Sequence, residues 1–72
     1  MTDDEIKIAA KAITLDQQIA CLRREIAMRK NVYPKWIENK RMKQTQADHE
    51  LAAMQACHDT IQAVVDFRAG KN

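Results

Sequence analysis

Four side chains in this sequence are of types that ligate metals or act as nucleophiles: Cys21, His49, Cys57 and His58. A metal or thiol centre needs ligands that converge, as in Cys-x-x-Cys or His-x-x-x-His, and neither spacing occurs. Cys57 and His58 are neighbours, so on a helix they point about 100° apart. Cys21 falls at an outward position, which puts the ~5.5 Å Cα separation of a disulfide to Cys57 out of reach. There is no Ser/His/Asp or Cys/His relay and no Gly-rich loop, and a two-helix core leaves too little volume for a pocket of ~300 Å³. Catalytic residues, metal ligands, cofactors and a small-molecule ligand are therefore not expected. His58 reads as a histidine snorkelling at a core edge, although charging it there would oppose folding.

The chemistry that the sequence does concentrate is positive charge. Between Arg23 and Lys43 stand eight basic residues against Glu25 and Glu38, a net of +6, whereas residues 1–22 and 44–72 each carry −2. The overall +2 conceals this polarity. The same stretch holds Tyr33, Trp36 and the only proline, Pro34. Arg29, Lys30, Lys35, Trp36, Lys40, Arg41 and Lys43 are the candidate partner-binding residues, since Trp and Arg are the types most enriched among binding hot spots. Two partner classes fit. One is a protein that receives the basic segment or a helix face; the other is a nucleic acid, contacted through phosphates and stacked rings. The competing structural roles are a solvated basic face that complements a helix C-terminus and two rings that cap the core, with Tyr33 on the packing seam.

The elements that position these residues follow from periodicity. One Gly and one Pro in 72 residues make the chain a helix former from end to end. Thr2-Asp3-Asp4-Glu5 is a capping box. From it, Ala12, Leu15, Ile19, Leu22, Ile26, Arg29 and Tyr33 alternate at three and four residues, predicting a first helix over about 3–38 with a kink or break near Pro34. The turn falls at about 39–43, with Asn39-Lys40 as the break, Asn being tolerated in the left-handed position. A second helix over about 44–69 begins at Lys43 or at Thr45, whose Thr45-x-x-Asp48 spacing resembles another capping box. Its seam is Ala47, Leu51, Met54, His58, Ile61, Val65 and Arg68, and Gly70 is placed as the cap. Pairing the seams antiparallel sets Leu15 by Val65, Ile19 by Ile61, Leu22 by His58, Ile26 by Met54, Arg29 by Leu51 and Tyr33 by Ala47. The expected fold is all-α, a single domain over 1–72 forming an antiparallel, coiled-coil-like two-helix hairpin.

A single core of this size supplies no more than about 3–5 kcal/mol, so a partner subunit is expected. Ile6, Ala9, Ile13, Ala20 and Ala27 form a further apolar face on the first helix, and Cys57 and Val64 flank the seam of the second. Dimerisation into a four-helix bundle follows, with an interface through Ile6, Ile13 and Ala20. No stretch approaches the ~20 apolar residues of a membrane span, and the N-terminus is acidic where a signal peptide is basic. The expectation is a cytoplasmic homodimer with reduced thiols and no membrane partner.

At Arg24-Glu25-Ile26-Ala27-Met28-Arg29, then Val32-Tyr33-Pro34 and Trp36, then Arg41-Met42 with Ala47, Asp48 and Glu50, the sequence resembles a group of short uncharacterised proteins encoded by tailed bacteriophages and prophages. The resemblance spans roughly Arg24 to Met54, under half of the chain. Members of that group carry a Gly near Lys40 and a Thr helix cap near Lys43, and this chain has neither. The resemblance implies a phage accessory protein in a bacterial cytoplasm, with a host or phage protein as partner, and implies no particular activity.

Overall fold

The structure, a computed structural model, describes residues 1–70. They form three α-helices, α1 (Asp3–Ala10), α2 (Leu15–Glu38) and α3 (Gln44–Arg68), with no strand among the described residues. α1 begins at a reciprocal cap, in which the Glu5 amide donates to Thr2 Oγ1 and the Thr2 amide donates to Glu5 Oε1, both at 3.2 Å. The device recurs at Thr14: the Gln17 amide donates to Thr14 Oγ1 at 3.1 Å and the Thr14 amide to Gln17 Oε1 at 2.9 Å.

That second cap corrects the continuous first helix over 3–38, and with it the two-helix chain. Beyond Ala10, the amides of Lys11, Ala12 and Ile13 reach only the carbonyls three residues back, at 3.2, 3.1 and 3.2 Å. Thr14 then turns to extended backbone, φ −74° and ψ 162°. A threonine whose amide and hydroxyl both serve a new helix start cannot also continue the old helix, and the β-branched pair Ile13-Thr14 weakens helix preference at the same point. Ala12 is thereby lost from the seam. Ile6, Ile13 and Ala20 no longer share one helical face.

α2 runs through Pro34. The pyrrolidine nitrogen has no hydrogen, so the Lys30 carbonyl loses the donor it would otherwise meet. At its other end α2 closes in a Schellman motif, with the Arg41 amide donating to the Trp36 carbonyl at 2.8 Å and the Lys40 amide to the Ile37 carbonyl at 3.0 Å. The left-handed residue is Lys40, φ 58°, and not Asn39, φ −83°. Lys43 caps α3 without a side-chain hydrogen bond. The expected Thr45 to Asp48 box is absent because Thr45 already lies within the first turn, while Asp48 Oδ1 accepts from Gln44 Nε2 at 2.9 Å. At the C-terminal end Ala69 is the cap, and Gly70 follows it with φ 75°.

α2 and α3 pack against each other in antiparallel sense: Tyr33 and Ala47 line one groove near the turn, and Leu15 and Val65 line another at the opposite end. Ile19, Ile26, Tyr33 and Ala47 are buried; Leu15, Leu22, Leu51, Met54, Ile61 and Val65 are half-buried. α1 packs against neither helix and buries none of its residues. The radius of gyration is 15.3 Å, against about 11 Å for a compact chain of this length. The accessible surface is 5978 Å², against about 4,600 Å² for a compact monomer of 8.3 kDa. The chain is open because one of its helices stands off the other two.

Candidate functional site

The turn that joins α2 to α3 gathers Lys40, Arg41 and Lys43 within five residues, and helix geometry decides why they face outward. The Schellman closure uses the amides of Lys40 and Arg41 and leaves their side chains exposed. Together with Ile37, Met42, Gln44 and Gln46, the three cations line an open depression of about 590 Å³. The first turn of α3 contains no acidic residue, and Lys43 offers no oxygen to its amides. The first turn of α3 therefore has no side-chain acceptor for its amides, and the positive end of the α3 dipole adds to the field of the three cations.

The other predicted residues divide. Lys30 lines a second cleft, of about 270 Å³, between the two helices and shares it with Pro34, Gln44 and Asp48. Lys35 is exposed on α2 and borders neither hollow. Trp36 is 41 % exposed, and its ring lies 5.6 Å from that of Tyr33 at a tilt of 40°, so the exposed indole rests on a fixed neighbour. Tyr33 is only 2 % exposed. Its hydroxyl does not face water, because Arg29 Nη1 donates to it at 2.9 Å. Arg29 Nε also donates to Glu25 Oε2 at 3.4 Å, and the Tyr33 hydroxyl first, then Glu25, push the Arg29 pKa up. Arg29 is thus engaged by the tyrosine, and it does not line the depression.

Among the described residues, Lys30, Lys35, Lys40, Arg41 and Lys43 form no ion pair. Their charge is not neutralised within the chain. Ile37, Met42, Gln44 and Gln46 were not singled out from the sequence; their signal was adjacency to the turn, which matters only once the turn's path is known.

The residues with metal or thiol chemistry stay apart. Cys21 and Cys57 are free and exposed, and no group of three His, Cys, Asp or Glu side chains that would hold a metal occurs among the described residues. His58 Nε2 accepts from Arg23 Nε at 3.2 Å while its Nδ1 faces Asp59 Oδ1 at 3.1 Å, so the ring bridges α2 to its own helix. That contact, then the one from Gln55, holds the Asp59 carboxyl below its ordinary value. No described helix is long and apolar enough to cross a membrane. Comparison of the chain with family models, curated proteins and solved structures returns no match.

Proposed function

We propose that the chain is a small non-enzymatic accessory protein that binds an acidic protein surface through the turn between α2 and α3. The observation that carries this reading is the set of unpaired cations at Lys40, Arg41 and Lys43 beside an exposed Trp36 held by Tyr33. A loop between two rigid helices tolerates charge at little cost to stability and projects furthest from the body, so it can enter a groove. An indole supported on a buried ring loses little freedom on binding, which suits it as an anchor. The resemblance over Arg24–Met54 supports a phage-type adaptor or inhibitor acting on a host or phage protein in a bacterial cytoplasm. We place the α2/α3 hairpin within a homodimer of the four-helix type, a reading supported by surface about 1,400 Å² above that of a compact monomer.

The test compares wild type with a Lys40→Glu, Arg41→Glu, Lys43→Glu variant and with Trp36→Ala in capture from bacterial lysate. Both variants should keep wild-type helicity and lose the captured protein. Retention by the triple variant at unchanged affinity would sink the proposal. A nucleic acid as the partner instead shows as co-purified absorbance at 260 nm and as affinity that falls linearly on a log-log salt plot; a complex anchored by Trp36 resists salt.

A further inference from the structure

Near the turn, α2 and α3 leave a cleft of about 270 Å³ between them. One stripe of α2, Lys30, Pro34 and Ile37, and one of α3, Gln44, Asp48 and Leu51, run along it at the same i, i+4, i+7 spacing. Seven residues of helix make it about 10.5 Å long. Its floor is Tyr33 and Ala47, each 2 % exposed, and the single methyl of the alanine fills little of the space. The Tyr33 hydroxyl is already taken by Arg29, so the ring is what Tyr33 offers. The two charged groups of the lining, Lys30 and Asp48, stand on opposite helices and form no ion pair with each other. Asp48 Oδ1 accepts from Gln44 Nε2 at 2.9 Å, and Oδ2 has no hydrogen bond among the described residues.

We infer that this cleft receives a tryptophan side chain of the protein partner, in a segment whose acidic residues meet Lys40, Arg41 and Lys43. The inference rests on the turn as the docking site and adds what the partner must carry. The volume lies below the ~300 Å³ at which pockets for drug-sized ligands begin, which suits one large side chain. An indole, with an apolar body and an N–H, matches an apolar floor with a polar rim. Lys30 supplies a cation for the face of the ring, and Asp48 an acceptor for its N–H. A phenylalanine would use only the first of these, and an aliphatic side chain neither. A carboxylate in the cleft would meet Asp48, so the acidic residues of the segment belong at the turn. The two hollows adjoin, since Ile37 and Gln44 line both. Lys43 precedes Asp48 by five residues. That is about 7.5 Å along α3, which two or three extended residues span.

The test uses the full-length protein and three fluorescein-labelled peptides, each a run of glutamates, two glycines and a final residue that is tryptophan, phenylalanine or alanine. Fluorescence polarisation at low salt should rank them in that order, with tryptophan about tenfold or more tighter than alanine. Asp48→Ala, at an exposed position, should keep wild-type helicity. Losing a like charge, it should bind all three acidic peptides somewhat more tightly, yet the preference for tryptophan over phenylalanine should vanish, because that difference isolates the N–H contact. Equal affinity for the tryptophan and alanine peptides, with both lost in the Lys40→Glu, Arg41→Glu, Lys43→Glu variant, overturns the cleft and leaves the turn as the docking site. Undiminished binding in that triple variant, with the tryptophan preference retained, overturns the turn and leaves the cleft. A preference that persists unchanged in Asp48→Ala, or no binding of the tryptophan peptide at millimolar concentration, overturns the inference.

Discussion

The two ends of the α2/α3 pair are built differently. At the turn, Tyr33 and Ala47 are each 2 % exposed, a Schellman motif fixes the chain direction, and Arg29 holds the one buried hydroxyl. At the far end Leu15, Ile61 and Val65 are half-buried, α1 departs without packing, and Phe67 stands in solvent. Charge gathers at the tight end and unpaired apolar surface at the loose one. The division teaches that a pair of helices joined by a short turn can concentrate its packing where the chain reverses and leave its open end less covered.

The largest effect should come from removing the buried ring at the tight end. Tyr33→Ala deletes an aromatic side chain, worth about 3–5 kcal/mol in a core, close to the about 3–5 kcal/mol that a core of this size supplies. The variant should be largely unfolded by circular dichroism. Val65→Ala, at the half-buried end, should cost about 1 kcal/mol and leave a cooperative melt. Equal losses in the two variants would break the comparison.

Next in size is the cap that starts α2. Thr14→Ala removes the acceptor of the Gln17 amide and should cost about 1 kcal/mol, with amide exchange rising around residues 15–18 and unchanged near the turn. Lys40→Gly should act in the opposite direction. It relieves a left-handed side chain, φ 58°, but loosens the unfolded chain, for a net gain of about 0.5–1 kcal/mol in denaturant melts. A loss of stability there would mean that the Lys40 side chain contributes more to the turn than its backbone strain removes.

The smallest effect concerns pH at the loose end. The Thr2 hydroxyl and then its amide hold the Glu5 carboxyl below its ordinary value. A depressed folded pKa stabilises above the unfolded value and is lost as pH falls through the folded one, so acidification should fray the first turn of α1. Amide chemical shifts of Asp3 to Ile6 report this directly. They should move while those of residues 26–33, in the packed part of α2, stay fixed.

Much of this arrangement was legible in the sequence, and what was missed has local reasons. The apolar heptads of α2 and α3 fix which residues face inward, because only one stripe per helix can leave water. The basic cluster and Trp36 stood out by composition alone. The capping box at Thr14-x-x-Gln17 was written in the same code as that at Thr2-x-x-Glu5, yet an apolar repeat running from Ala12 to Leu15 read straight across it. Of the candidate residues, Arg29 shares the charge of its neighbours but not their placement, since a tyrosine four residues on captures it.

The sequence by itself determined an all-helical chain, with its seams and the concentration of charge about the turn, since these depend on residue type and spacing along one strand of peptide. Only the tertiary structure decided that Lys40 takes the left-handed position, that Tyr33 is sealed by Arg29, and that α1 stands away from α2 and α3. Each of these turns on competition: between neighbouring residues for a backbone conformation, between donors for one hydroxyl, and between continuing a helix and starting another. Such contests are settled by what the rest of the chain can place nearby, and here neither α2 nor α3 packs against α1.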